Sequence, residues 1–271
     1  MPEPKLSAKN QARWELPLDR YSAQIVDLPG IAVRVMVQAC IEKRGWPWAV
    51  TTAEAGAKPG ESWNDARQKL FSVALAEKYG YGNSSELDLS APQQAELRAV
   101  DKANREIDAD ADSDIDECFS RGQKAIGLTP NAAPWDLANS LAVQAYNASL
   151  VTKPVLAATA TWRKCMAGVG VPDLPRSPDL MPSPSMIGSG RGVDEPWTKD
   201  VVDPEERRVA VADAKCQESS GYFDAAYTAE WDAEVKLLLE NADELERYDK
   251  QMQAMNRKAR KVIAHYAPSA K

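Results

Sequence analysis

One short pattern occurs twice in the chain and indicates where two helices end. Residues 40–47 read CIEKRGWP and residues 165–172 read CMAGVGVP, so each cysteine is followed by glycine five residues later and proline seven residues later. Glycine commonly supplies the left-handed residue that ends a helix, and a proline just after it prevents the helix from resuming. We therefore predict that each copy is a helix C-terminus, with Cys40 or Cys165 in the last turns.

Each copy is followed by a second cysteine in strongly helical sequence, Cys118 after the first and Cys216 after the second. Four cysteines in 271 residues are consistent either with disulfides or with buried free thiols. A chain this long with 44% apolar residues can build a core without cross-links, so folding does not require disulfides. The even number, the duplicated context and the single histidine favour disulfides. Of the three pairings, we favour Cys40–Cys118 and Cys165–Cys216, each contributing about 4 kcal/mol in the chain-entropy model.

The predicted fold class is all-α, a helical bundle made of two pseudo-repeated halves that each carry a disulfide. Apolar residues recur at helical spacing, and no strand pattern is evident. We expect an N-terminal tether or loosely packed arm over 1–25 and a single helical domain over 26–271, with halves 26–130 and 131–271. Helices before the last are predicted over about 28–44, 61–79, 92–126, 134–151 and 154–165.

Residues 172–203 differ from the rest because they contain six prolines among serines and glycines. Such a segment cannot form a regular element, so we predict a long Pro-rich loop. It is either a strap anchored over the helices by apolar residues such as Leu180 and Trp197, or a binding loop that closes over a groove. It ends at Asp203-Pro204-Glu205-Glu206, which is a strong helix start.

The last helix is predicted to be the longest, interrupted at most around 219–221 and otherwise ending near residue 265. Its apolar residues keep a three-and-four spacing, which indicates a coiled-coil-like seam. Forty-odd residues at 1.5 Å each reach about 65 Å, longer than a compact domain of this size is wide. We expect this helix to pair with another long helix, best 92–126, or to project toward a partner, including a second copy of the chain.

The charge balance narrows the classes of partner. A net charge of −7 argues against nucleic acid, because no basic stripe is available to displace counterions from phosphates. The one basic run, over 257–261, fits either a helix C-terminus or a contact with anionic lipid or polymer. No apolar run approaches the roughly eighteen residues of a membrane helix, and the polar opening is no signal peptide. If the protein is exported, we expect a leader and any lipidated cysteine to lie outside this sequence.

Three features bear on metals and cofactors. The acidic run DADADSDIDE at 108–117 places Glu117 at the twelfth position of an EF-hand loop, but Ala111 occupies the glycine turn. We interpret the run as a solvated helix face. The single histidine, His265, cannot support a histidine triad elsewhere or the usual zinc sites, and GSGRG at 188–192 lacks the context of a phosphate loop. We predict no metal and no cofactor.

Aromatic residues in loops are the better functional lead. Trp46, Trp48 and Trp197 fall in predicted loops, where tryptophan stacks on sugar rings or anchors a protein partner. The alternative is packing of these loops onto the bundle. Carboxylate catalysis needs only two acids at the right separation, so Asp213 and Glu54 are nominal candidates among 40 acidic residues. We predict no catalytic residue.

Five stretches follow one another in a characteristic order over about residues 30–245. They are CIEKRGW at 40–46, KYGYGNSS at 78–85, ECFSRGQKAIG at 117–127, WRKCMAGVGV at 162–171 and ERRVAVADAKCQESSGY at 206–222. Together with the four cysteines, this order resembles a set of uncharacterised exported or lipid-anchored proteins of actinobacteria. The resemblance implies export, disulfides and a cell-envelope setting, and it carries no known activity.

These observations favour a non-catalytic, extracytoplasmic binding or structural protein of a bacterial cell envelope, secreted or lipid-anchored, whose partner is an envelope polymer or a protein. The first alternative is a carboxylate-dependent cell-wall hydrolase, which turnover of peptidoglycan fragments would distinguish. The second is a cytosolic coiled-coil adaptor, which requires free thiols.

Overall fold

A computed structural model describes residues 6–107, 109–128, 135–187 and 202–266. Its one pair of short strands within these ranges, β1 (Lys58–Pro59) and β2 (Leu87–Asp88), is antiparallel. The prediction of an all-α fold is confirmed. The ten α-helices of the described ranges are α1 (Leu28–Ile41), α2 (Val73–Tyr79), α3 (Ala91–Arg105), α4 (Asp112–Ile126), α5 (Trp135–Leu150), α6 (Lys153–Met166), α7 (Pro184–Ile187), α8 (Pro204–Ser219), α9 (Tyr222–Glu240) and α10 (Ala242–Tyr266).

The chain divides into two compact units that are discontinuous in sequence. Unit 1 comprises Met1–Arg20, Gly60–Glu86 and Ala138–Ala242, and unit 2 comprises Tyr21–Pro59, Leu87–Leu137 and Asp243–Lys271. The expected halves 26–130 and 131–271 therefore each contribute to both units. Sequence order did not reveal this division because the chain leaves and re-enters each unit.

Each unit contains one disulfide between two of its helices. In unit 2, Cys40 of α1 is joined to Cys118 of α4, with Cα atoms 5.8 Å apart. In unit 1, Cys165 of α6 is joined to Cys216 of α8, with Cα atoms 5.6 Å apart. These are the pairings favoured from the sequence. The glycine that follows the first cysteine of each pair is left-handed, with φ of +89° and +91°, as the duplicated pattern predicts.

The core of unit 2 forms where α1 meets α4. Asp27 caps α1 by accepting a 3.0 Å hydrogen bond from the amide of Gly30. Val33 of α1 approaches α4 so closely that a Cβ at Gly122 would lie 3.2 Å from it. Ala259 of α10 belongs to the same buried cluster. The glycine thus allows the two disulfide-linked helices to come close together.

The core of unit 1 is centred on Trp162 of α6, which is completely buried. It packs in one cluster with residues of α2 and α8, including Ala76 and Ala214. Helix α8 begins as predicted, because the carboxylate of Asp203 accepts hydrogen bonds of 2.9 and 3.1 Å from the amides of Glu205 and Glu206.

The expectation of an N-terminal tether is wrong for the described part of 1–25. Leu16 is 3% exposed and Leu18 is fully buried, so this segment is part of the core of unit 1. The first eleven residues are mostly polar and include two prolines, so the sequence did not indicate that a few apolar side chains anchor this segment.

The helix predicted over 61–79 covers only Val73–Tyr79. Before it, the side chain of Asn64 accepts hydrogen bonds from the amides of Ala66 and Gln68. Asn64 also donates to the carbonyl of Arg13, 51 positions earlier. Asparagine side chains that bond to nearby backbone compete with helix formation, which explains the shortened helix.

Both long helices predicted from the sequence are divided. The first is split into α3 and α4, and aspartates at the start of α4 disfavour a continuous helix. The second is split at Gly221, which has φ of +71°, and again at Asn241. The longest resulting helix, α10, has 25 residues and spans about 37 Å, so the single helix of about 65 Å is wrong.

The described part of the Pro-rich loop lies within unit 1. It contains a short 3-10 turn, Pro178–Leu180, and the single-turn helix α7. Leu174 and Met181 pack against the α6–α8 core, which agrees with the strap interpretation for residues 172–187. Leu180 was expected to be an anchor, but it is 47% exposed, so that expectation is wrong. Residues 188–201 lie outside the described ranges. None of the described helices combines the length and apolarity needed to span a bilayer.

Candidate functional site

Unit 1 contains a cavity of about 890 Å³. Its walls come from the N-terminal segment, residues 68–81, the C-terminal end of α5, the turn at 178–181, and helices α8 and α9. Pockets for small molecules usually measure about 300–1,000 Å³ and combine apolar walls with a few placed polar groups. The volume therefore suits a small-molecule ligand.

Aromatic side chains form much of the wall. Trp14 meets Phe223 edge to face with ring centroids 6.5 Å apart, while Phe71 stacks on Tyr81 at 5.7 Å. These contacts fix the rings and leave a surface suited to an apolar or planar group. The six aromatic residues among the described lining residues are Trp14, Phe71, Tyr81, Tyr146, Tyr222 and Phe223.

One side of the cavity is built on Asp213 of α8, which is completely buried. Its carboxylate accepts hydrogen bonds from Trp162 Nε1 at 2.7 Å, Tyr81 Oη at 3.0 Å and Gln217 Nε2 at 3.0 Å. Burial raises the pKa of Asp213, and the three donors act in the opposite direction. Asp213 thus joins α6, α8 and the segment after α2, and it is not accessible as the catalytic acid considered from the sequence.

Glu230 of α9 is the most unusual group in the lining. It is 5% exposed, and its Oε2 accepts a 3.0 Å hydrogen bond from Trp14 Nε1. Its other oxygen, Oε1, has no hydrogen-bond donor among the described residues. Burial raises the pKa of Glu230, and the hydrogen bond from Trp14 lowers it by less. The cavity wall therefore carries a buried carboxyl group, one oxygen of which accepts no hydrogen bond from the described residues.

Two more acids, the half-buried Asp19 and the buried Glu234, lie close enough to interact electrostatically with Glu230. Asp19 accepts a 2.7 Å hydrogen bond from the amide of Leu16, and Glu234 accepts one of 2.8 Å from the amide of Leu18. Desolvation, reinforced by the neighbouring acids, raises the pKa of Asp19 to about 7 and that of Glu234 to about 8. Oε1 of Glu234 is buried without a hydrogen-bond partner. The wall behind Glu230 is thus strongly electronegative whenever these acids ionise.

Negatively charged residues also predominate around the rest of the cavity. Among its described lining residues five are acids, Asp179, Asp213, Glu218, Asp224 and Glu230, and one, Lys69, is a base. Burial, followed by the charge of Asp179, raises the pKa of Tyr146 to about 12. The same two causes raise the pKa of Tyr222. Asp179 therefore acts on two phenol rings of the cavity.

The tryptophans singled out from the sequence lie elsewhere. Trp46 and Trp48 are in unit 2, both half-buried against its core cluster. Trp46 Nε1 donates a 3.1 Å hydrogen bond to Asp114, and Trp48 meets Phe119 edge to face at 5.9 Å. These are internal packing contacts, and a binding role for Trp46 and Trp48 stays a prediction. Trp197 lies outside the described residues.

The acidic run forms ion pairs within unit 2. Asp114 and Glu117 both bind the guanidinium of Arg44, which lowers the pKa of each carboxyl group. In the part of the chain that the structure describes, no group of three or more histidine, cysteine or acidic side chains is arranged to hold a metal.

Glu54 pairs with Arg34 at 2.7 Å. His265 is exposed, edge-on to Tyr266.

Sequence reasoning missed Trp14, Tyr146 and Glu230. One signal was present, because Glu230 and Glu234 lie one helical turn apart and directly precede Trp231 and Val235 of the apolar seam. Acids this close to an apolar stripe point to a buried polar feature. The sequence does not indicate which segment covers them.

No family model, no curated protein and no solved structure matches this chain.

Proposed function

We propose that this chain is a non-catalytic binding protein whose unit 1 cavity holds a small amphipathic molecule. The observation that carries this proposal is a cavity of about 890 Å³ with six aromatic side chains and a buried carboxyl group in its wall. Rings fixed by edge and stacking contacts supply apolar surface, and a few polar groups orient a ligand.

The arrangement of acids favours binding over hydrolysis. A glycoside hydrolase needs two accessible carboxyl groups on either side of the bond that is cleaved. Asp213 is fully buried with three donors, and Glu54 belongs to the other unit and is paired with Arg34. Neither nominal candidate is therefore placed as such a reaction requires.

We further propose that the protein acts outside the cytoplasm, in a bacterial cell envelope, in line with its resemblance to exported or lipid-anchored actinobacterial proteins. Disulfides persist in oxidising compartments, and all four cysteines are bonded in pairs. A cytosolic adaptor would require free thiols, so the pairing supports the extracytoplasmic alternative. An envelope polymer or protein is the proposed larger partner, with self-association through the C-terminal helix as a further prediction.

The proposal is tested by screening small aromatic and alkyl amphiphiles for binding by saturation-transfer NMR. Ala74 lines the cavity and is exposed, so Ala74→Trp places an indole in the cavity without disturbing the core. Glu77→Trp, an exposed position of the same helix that does not line the cavity, is the matched control.

We expect compounds that bind the unchanged protein and Glu77→Trp but not Ala74→Trp. Binding that is insensitive to Ala74→Trp, or no binding at all, would contradict the proposal. Release of reducing ends from peptidoglycan fragments would instead favour the hydrolase.

A further inference from the structure

We infer that the unit 1 cavity selects organic cations, with a ligand ammonium group beside Glu230 and its apolar body against the aromatic wall. This inference rests on the proposed function, because it names the class of molecule that the cavity binds. Its starting point is the free oxygen of Glu230, a side chain that is 95% buried and lines the cavity.

Within the described ranges, no basic side chain is paired with the acids of this part of the wall. No lysine or arginine of the described ranges forms an ion pair with Asp19, Glu230 or Glu234. Burial without a counter-ion favours the neutral form of these carboxyl groups, so a cation delivered by a ligand would stabilise the ionised form of Glu230 and would gain more here than on an exposed surface.

The basic residue of the lining is engaged elsewhere. The ammonium of Lys69 donates to the carbonyl of Tyr81 and lies 5.8 Å from the centroid of the Phe71 ring. Its charge acts on Asp213, whereas Glu230 feels no such effect. Lys69 therefore does not neutralise the Glu230 end of the cavity.

Aromatic faces accompany the carboxyl group. Trp14 is fixed beside Glu230 by its hydrogen bond, and Tyr146 and Tyr222 both respond to the charges of Asp179 and Glu230. Aromatic rings combined with nearby negative charge attract ammonium groups through cation–π and charge–charge interactions. A neutral sugar would stack on the rings but would not be attracted by the excess of negative charge.

The cavity wall also offers an apolar surface for the body of the ligand. Phe71, Leu75 and Met181 contribute apolar side chains to the same cavity. An amphipathic cation, with one ammonium group and an alkyl or aromatic portion, complements both parts of the wall.

The test compares three probes with the same eight-carbon chain and different head groups, octyltrimethylammonium, 1-octanol and octyl sulfate, by titration calorimetry below their micelle concentrations. We expect the cation to bind about tenfold more tightly than the alcohol, since a desolvated cation–π contact with a carboxylate nearby is worth that much. Octyl sulfate should bind most weakly.

Glu230→Gln removes the charge and keeps an oxygen that accepts from Trp14, so the fold should be retained, as circular dichroism would verify. In this variant the affinity for the cation should fall to that for the alcohol, while the alcohol is unaffected. Glu240→Gln, the same change at an exposed position of α9 outside the cavity, should leave all three affinities unchanged.

Equal affinities for the three probes, or a preference for octyl sulfate, would overturn the inference while leaving a ligand-binding cavity in place. A preference for the cation that survives in Glu230→Gln would also overturn it. If none of the probes binds, both the cation selectivity and the proposed binding function fail.

Discussion

The backbone amide of Leu18 donates a 2.8 Å hydrogen bond to Oε2 of Glu234, joining residues that lie 216 positions apart in the sequence. Leu18 is fully buried and Glu234 is 1% exposed. One turn earlier on α9, Glu230 accepts from Trp14. Two acids of one helix therefore hold the N-terminal segment in unit 1, and one of them, Glu230, also lines the cavity.

We expect the free energy of unfolding to fall as pH rises from about 5 to about 8. The pKa of Asp19 is raised to about 7 and that of Glu234 to about 8, whereas both groups ionise near pH 4 in the unfolded chain. In this window the folded state therefore binds more protons, so raising the pH favours unfolding. For each group, the free energy of unfolding falls by up to about 1.4 kcal/mol per pH unit, and the fall ends above the pKa of that group in the folded state. Urea unfolding at pH 5, 6.5 and 8 measures it.

The variant Glu234→Gln should reduce this pH dependence. An amide keeps an acceptor for Leu18 and cannot ionise, so the variant should be more stable than the unchanged protein at pH 8 and similar at pH 5. Glu240→Gln, exposed on the same helix, is the control and should leave the slope unchanged. An unaltered slope in Glu234→Gln would show that this carboxyl group is not the source.

Removing one disulfide should weaken mainly the unit that contains it. Each bridge closes a loop of 78 or 51 residues, for which the chain-entropy model gives about 4 kcal/mol. Replacing Cys165 and Cys216 together by alanine should accelerate hydrogen exchange in α6 and α8 and leave α1 and α4 protected. The matched pair, Cys40 and Cys118 replaced by alanine, should give the opposite pattern. The same exchange pattern in both double variants would contradict this independence.

Asp213 should prove structural. Asp213→Ala leaves three buried donors unpaired, on Trp162, Tyr81 and Gln217, and should lower the free energy of unfolding by about 3 kcal/mol or more. Asp213→Asn keeps one acceptor oxygen, and the Tyr81 hydroxyl can turn to accept from the new amide, so its cost should be about 1 kcal/mol. Urea unfolding of the two variants checks the order, and equal costs would refute it.

Gly80 should tolerate substitution worse than Gly45. Both have positive φ, but a Cβ at Gly80 would lie 2.7 Å from Val202 Cγ1 and 2.8 Å from Glu206 Oε1, while Gly45 has nothing within 4 Å. Backbone strain alone should make Gly45→Ala cost about 1 kcal/mol. Gly80→Ala adds the clash and should cost about 2 kcal/mol or more. Thermal unfolding of both variants measures the difference, and similar melting temperatures would rule out the clash.

Local stereochemistry made several parts of the fold predictable. The left-handed glycines after Cys40 and Cys165, and the start of α8 at Asp203-Pro204, follow from backbone preferences within a few residues. The same duplicated pattern favoured the two disulfide pairings that the structure shows, out of three possible pairings. Helix continuity was less predictable, because Asn64 and Asn241 end or prevent helices through side-chain hydrogen bonds to the backbone.

By itself, therefore, the sequence determined the all-α class and the position of most helix ends, and it favoured the pairing of the cysteines that the structure shows. Only the tertiary structure decided that Trp14 and Leu18 cover Glu230 and Glu234, and that Glu230 borders a cavity. The reason is physical. A helix end depends on neighbours within one turn, whereas burial, and the raised pKa values that follow from it, depend on contacts between segments more than 200 residues apart.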